Sequence, residues 1–370
     1  MNSSNRDDFF QTTASLEESD RKLQKSKNKH GNPIKLSSKI LAVAADPRNN
    51  GCIYVAESAG VVRKVALETG ETSAIYKGPT APLTSLCFSP DGSVLYSGCW
   101  DKTIWSWDVA TRKLKRKYEG HTDFVKTVIT VMIKNQELLV SGGADAEIIV
   151  WDASTAERLY VAKGHPRAVQ DLAIDPIIAE GEAFLSIFSA GSDRTIRKFR
   201  LPPESATPAL SDPILEHETS VYKLFFDEDG DLWTASADRT AKCLSRDSEW
   251  KANLTLEHPD FVRDVVVHER GGWVVTACRD EEVRVWNRAT GELYHTFTGH
   301  FEEVTGLLLL GSKVVSVSID ATIRQWSLDP QDLQRAKAEA ENPNLVEDKP
   351  QQPILSAEEE ALLDELMRDD

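Results

Sequence analysis

The chain has 370 residues, 41% apolar and 28% charged, with a formal net charge of −16 at pH 7. This composition excludes a wholly disordered or collagen-like chain, and no run approaches the ~18 consecutive apolar residues of a membrane span. The acidic balance also disfavours a general affinity for nucleic-acid phosphate.

Residues 1–31 carry six basic and five acidic side chains and are short of β-branched and aromatic residues, so they read as a disordered tail. Met1 to Gln11 lacks the apolar core of a secretory signal. Arg21, Lys22, Lys25, Lys27 and Lys29 form a loose basic run, for which a solvated linker is preferred to a nuclear import signal. Five scattered cysteines, Cys52, Cys87, Cys99, Cys243 and Cys278, contain no CxxC pair. They fit neither a disulfide framework nor a cysteine zinc site and suit a reducing compartment, so cytoplasm, nucleus or both are expected.

From residue 32 to 329 the chain changes in kind. Short β-rich runs alternate with turn signals such as Ser89-Pro90-Asp91-Gly92 and Gly271-Gly272, which argues for an all-β architecture. The runs repeat. Asp101, Asp145, Asp193, Asp238, Asp280 and Asp320 are spaced 44, 48, 45, 42 and 40 residues apart. Each has a hydroxyl residue four positions before it and a large apolar residue six after: Trp107, Trp151, Phe199, Leu244, Trp286 and Trp326. A degenerate seventh copy precedes them, with Ser58-Ala59 leading to Val65 and Ala59 in the Asp slot. A second marker holds the same phase. His121, His165, His217, His258 and His300 each stand four residues before a valine, so five of the eight histidines share one slot.

This pattern of Gly-His and Trp-Asp signatures resembles the WD40 repeat family. The resemblance implies a seven-bladed β-propeller over 32–329, with four strands per blade around a central channel. It also implies that Ile34–Leu36 supplies the outer strand of the last blade, with Ile40 opening the first inner strand. Such closure removes sheet edges that would otherwise invite aggregation. The His, hydroxyl, Asp and Trp of one repeat contain the residue types of a hydrolase triad. In the family they form a buried structural network instead, and a catalytic triad has no reason to recur blade after blade. Full tetrads read as His121/Ser141/Asp145/Trp151, His258/Thr276/Asp280/Trp286 and His300/Ser316/Asp320/Trp326. Pro79 replaces the second histidine and cuts that network.

The resemblance further implies that the narrower face is a partner site. Three slots per blade point there: the residues flanking the repeat valine and the residue before the Asp. Large aromatics and arginines in these slots are hot-spot types that the fold does not require. Trp100, Phe124, Lys126, Tyr222, Phe261, Arg263 and Arg279 are therefore the expected partner-binding residues. Arg263 and Arg279 belong to one blade and are expected to clamp one acidic or phosphorylated group together. Asp227-Glu228-Asp229-Gly230-Asp231 resembles the front of a calcium loop but lacks the distal glutamate, so a β-turn is preferred. No catalytic motif, cofactor motif or metal set is read.

Residues 330–370 read as an acidic tail; 331–370 hold 12 acidic and 4 basic side chains. Ser356 and Glu359 make a capping box, and Leu362, Leu363, Leu366 and Met367 share one face, which predicts a short helix near 357–368. That face either docks into a partner groove or belongs to a solubilising tail. The preferred function is a non-catalytic scaffold or adaptor, a monomeric ring that binds a protein or peptide on its face. An assembly factor or chaperone for a basic client, such as a ribosomal protein or histone, is the first alternative. A ubiquitin-ligase substrate receptor is the second.

Overall fold

A computed structural model describes residues 13–177, 184–203 and 209–341. Seven antiparallel sheets follow one another along the chain, each built outward from an inner strand. The inner strands are Ile40–Ala45, Leu83–Phe88, Val125–Ile133, Val169–Ile174, Val221–Phe226, Val262–His268 and Val304–Leu310. The protein is thus a seven-bladed propeller of the expected class, and its compact unit ends at Asp329.

Burial explains why the strands read as they do. The second strands Cys52–Glu57 and Val94–Cys99 are buried at every position, and Gln136–Gly143 and Lys313–Ser318 over all but their first residues, because both faces of each sheet pack on neighbouring sheets. They therefore show continuous apolar runs rather than alternation. The outer strand Leu114–Glu119 buries only Tyr118, hence its lysines and arginine. The core is a set of clusters between adjacent blades. One joins Tyr54 and Tyr76 of blade one to Leu95 and Trp107 of blade two, and another joins Val140 and Val150 to Ile187 and Phe199. Buried tyrosine hydroxyls find acceptors in the next blade: Tyr76 donates to the Val109 carbonyl at 3.1 Å and Tyr118 to that of Ala153 at 2.7 Å.

The ring closes through Ile34–Lys35, which pairs antiparallel with the last strand, Ile34 opposite Ile323 and Lys35 opposite Thr322. The Leu36 amide extends this ladder to the Ala321 carbonyl at 2.8 Å. Blade four has three strands among the described residues, and Ile214 contributes an isolated bridge to Ile196. Its sequence gives a reason among the described residues: Pro202, Pro203 and Pro213 have no amide to donate to a fourth strand.

Among the described residues two α-helices flank the repeats in sequence. Helix α1, Thr13–Lys25, falls inside the stretch read as a disordered tail, while residues 1–12 lie outside the described ones. A helix this short is marginal alone, but its cations dock on the last two blades. Arg21 meets Glu281 at 2.7 Å, Lys25 meets Glu281 and Glu282 at 2.8 and 2.7 Å, and Lys22 meets Glu302 at 2.8 Å. Three members of the basic run thus make ion pairs, although Arg21 stays half-exposed. Helix α2, Pro330–Glu341, opens a separate unit. The sequence reading missed it, although Asp329-Pro330 is a start signal, with a capping residue before a proline at the first helical position. The helix expected near 357–368 lies outside the described residues.

Candidate partner-binding face

The turns around the ring share one geometry. The residue after each Asp slot has a positive φ: Gly60 (73°), Lys102 (73°), Ala146 (65°), Arg194 (68°), Arg239 (68°), Glu281 (78°) and Ala321 (64°). A side chain in this conformation costs about 1–2 kcal/mol. The aspartate offsets it by accepting the amide two residues on, as Asp101 does from Thr103 at 3.0 Å and Asp320 from Thr322 at 2.7 Å.

In blade three the four expected residues converge. Asp145 accepts from His121 Nδ1 at 2.9 Å, His121 Nε2 meets Ser141 Oγ at 2.7 Å, and Trp151 Nε1 donates to the same oxygen at 2.9 Å. Asp145 also accepts the Thr122 amide at 2.8 Å. Burial opposes the Asp145 charge, but the His121 bond and the amides hold its carboxyl below the usual range. Blade seven repeats the arrangement with His300, Asp320, Ser316 and Trp326, all at 2.8–2.9 Å. Blades four and five keep the His–hydroxyl–Asp chain, His165/Ser189/Asp193 and His217/Thr234/Asp238, without a tryptophan. The hydrolase resemblance goes no further than residue types. Ser141 has no exposed surface, and its oxygen is occupied by histidine and indole together.

Blade six departs from the expected tetrad. His258 meets Thr276 at 2.8 Å and Trp286 donates to Thr276 at 2.9 Å, but Asp280 does not reach His258. Arg284 takes both Asp280 oxygens, at 3.0 and 2.5 Å, and His258 Nδ1 turns to the Leu256 carbonyl at 3.1 Å. A bidentate guanidinium outcompetes a neutral imidazole for a carboxylate. Burial and the Arg284 charge push His258 down to about 4. Burial also lowers His165 and His300. In blade two Asp101 accepts Trp105 Nε1 at 2.8 Å instead of a histidine. In blade one the buried Glu57 receives Arg63 and Ser38. The calcium-like loop holds a guanidinium: Arg288 of blade six meets Asp227 at 2.9 Å and Asp229 at 2.6 Å.

Every inner strand carries a register shift at its second residue. The unpaired residues are Leu41, Thr84, Lys126, Gln170, Tyr222, Arg263 and Thr305. A bulge re-aims its side chain out of the pleat, and all seven line one cavity of ≈ 380 Å³ together with Trp100. Above it Trp100 and Phe124 stack with centroids 5.0 Å apart at 15°, while 41% and 37% exposed. On blades five and six, Arg263 lies 4.2 Å over Tyr222 and Arg279 lies 5.1 Å over Phe261. The two arginines expected to clamp one group are therefore engaged on different rings. Arg263 Nε also lies 2.6 Å from Glu303, which comes from the adjacent blade.

Deeper in the cavity one cation faces two carboxylates. Lys223 meets Asp171 at 3.2 Å, and Asp171 and then Asp264 hold its ammonium well above the usual range despite burial. Asp264 accepts amides of Val265 and Leu307 at 2.8 Å each, yet burial pushes it up to about 6. Asp171, Lys223 and Asp264 were not singled out from sequence. The signal was available: each stands two residues after a repeat valine, where a buried strand would be apolar.

Residues 70–108, 112–152, 250–287 and 291–327 match the WD domain, G-beta repeat (WD40) family. A WD repeat-containing protein of Schizosaccharomyces pombe is 35% identical, with 100% of each chain covered. Human Striatin-4 is 27% identical over 67% of this chain and 36% of its own length. The small ribosomal subunit protein RACK1 of Drosophila melanogaster is 28% identical over 35% of this chain and 42% of its own. Such propellers are generally non-catalytic scaffolds that bind proteins. The chain belongs to the WD40 repeat family.

Proposed function

We propose that this protein is a non-catalytic scaffold that grips a protein or peptide on the channel face through Trp100, Phe124, Lys126, Tyr222, Phe261, Arg263 and Arg279. The observation that carries this reading is the exposed Trp100–Phe124 stack, since no core duty calls for two large rings in solvent. The mechanism is rigid display. A closed ring orders little on binding, so contacts convert to affinity with a small entropic loss. A basic client fits this face poorly, because the cavity mouth already holds Lys126 and Arg263. In this reading the Leu362, Leu363, Leu366 and Met367 face is a second docking element, and truncation before residue 354 should remove a subset of partners. The main test is affinity capture with full-length protein and its Trp100→Ala/Phe124→Ala variant, matched for thermal stability. Partners should drop from the variant; an unchanged partner set overturns the reading.

A further inference from the structure

Not all charges on the channel face are matched. Lys126 sits on a bulge, half-buried, and no carboxylate among the described residues comes within ion-pair distance of its ammonium. Burial and the Arg263 charge push that ammonium below its ordinary value. Asp123 is the nearest acidic influence on it, but one of its oxygens accepts the Phe124 amide at 2.8 Å. Arg263 is only partly satisfied. Its Nε lies 2.6 Å from Glu303 but is not aligned for a hydrogen bond, and it has no other partner. Deeper in, Lys223 faces two carboxylates, Asp171 at 3.2 Å and Asp264, so the deeper charges add no unmatched cation, and the excess is confined to the mouth. The mouth therefore holds two cations against one close anion, beside a stacked aromatic platform.

We propose that the cavity mouth between Lys126 and Arg263 receives the carboxylate of one Asp or Glu side chain from a protein partner, whose flanking apolar residues lie on the Trp100–Phe124 stack. This rests on the channel face being the partner site. A carboxylate fits better than a phosphate for a reason of charge. With Glu303 beside Arg263, the excess is close to one positive charge, which a monoanion matches and a phosphate dianion exceeds, with repulsion from Glu303. A lysine or arginine side chain would meet two cations, and the one carboxylate close by, Glu303, already faces Arg263.

The test uses full-length protein and three pools of short labelled peptides with randomised flanks and a fixed central glutamate, lysine or phosphoserine, read by fluorescence anisotropy at two salt concentrations. The glutamate pool should bind most tightly. Lys126→Gln and Lys126→Met should each weaken it about tenfold, the loss of one charge-assisted contact, and Arg263→Gln should do the same. Lys163→Met is the control, because Lys163 is 73% exposed on an outer strand and pairs with Glu147. Equal binding of the glutamate and lysine pools, preference for phosphoserine, no binding by any pool, or full binding by both folded Lys126 variants overturns the proposal. Trp100→Ala separates the two levels. If it abolishes partner capture while both Lys126 variants do not, the carboxylate site falls and the face stands; if none of the three has any effect, both fall.

Discussion

Blades three and one have the same four-strand shape and reach it by different chemistry. Blade three holds its turn with Asp145, His121, Ser141 and Trp151 in one chain of hydrogen bonds. Blade one has Ala59 in the Asp slot, no histidine and no tryptophan. Its turn is held by backbone bonds, Glu57 to Val61 at 2.9 Å and Gly60 to Glu57 at 3.1 Å, and by a buried Glu57–Arg63 pair. Where no aspartate compensates a positive φ, the residue there is the one glycine among the seven turns. The repeat therefore preserves the turn, and the familiar side chains are one way of making it.

The sharpest way to break this comparison is at Gly60. A Cβ there would stand 2.5 Å from the Pro79 carbonyl oxygen, with φ at +73°. Gly60→Ala should cost about 3 kcal/mol, from left-handed strain plus a backbone clash that cannot relax cheaply. Ala146, in the same slot of blade three, has room for its methyl, so Ala146→Gly should change stability by under about 1 kcal/mol. Denaturant midpoints of the two variants measure the difference; equal values would mean that the turns are not distinct.

Next comes the network itself. Asp145→Asn removes a charged acceptor shared by His121 and two amides and should cost about 1–3 kcal/mol in thermal unfolding. An unchanged melting temperature would show that the blade does not depend on it.

The comparison also explains what could be read from sequence. Six blades were legible because hydroxyl and Asp recur in phase, five of them with His as well, and the first only by its spacing; the closing strand was legible only as what the family resemblance implies. The family match is narrower than the fold. It covers blades two, three, six and seven, which keep the tryptophan, and passes over those with Val65, Phe199 and Leu244. The site was less legible. Trp100 and Phe124 declared themselves as large residues in exposed slots. That Arg263 would lie on Tyr222 and beside Glu303 is a contact between blades about 40 residues apart, and no local pattern encodes it. Arg284 taking Asp280 from His258 had a signal, since the turn residue Asp280 and the strand residue Arg284 are only four apart, but the outcome depends on a competition.

That competition predicts a pH dependence. The folded pKa values of His165, His258 and His300 lie below the unfolded value of about 6.5. Their neutral forms stabilise the fold fully above about pH 6.5. That contribution is lost as pH falls, for His258 down to about 4 and by at most about 3 kcal/mol. Asp264, raised to about 6, acts in the opposite sense and recovers part of the loss as it protonates. Arg284→Met frees Asp280 for His258 and should move the imidazole upward by about one unit or more, read by NMR titration. A His258 value that stays near 4 would refute the competition.

The smallest effect is at the closure, where blade seven differs from the others in taking a two-residue strand from the far end of the chain. Helix α1 adds ion pairs to the same two blades, but their value is limited by water. Lys22 and Glu302 are 28% and 36% exposed, so the pair is screened and holding two long side chains costs entropy. Lys22→Ala should therefore lower stability by no more than about 0.5 kcal/mol, and less in high salt. Lys25 bridges Glu281, which is nearly buried, and Glu282. Its removal leaves Glu281 with Arg21 alone, so Lys25→Ala should cost more than Lys22→Ala, and the order should persist when salt is raised. A reversed order would mean that α1 is held by something other than these charges, and that closure rests on the Ile34 strand.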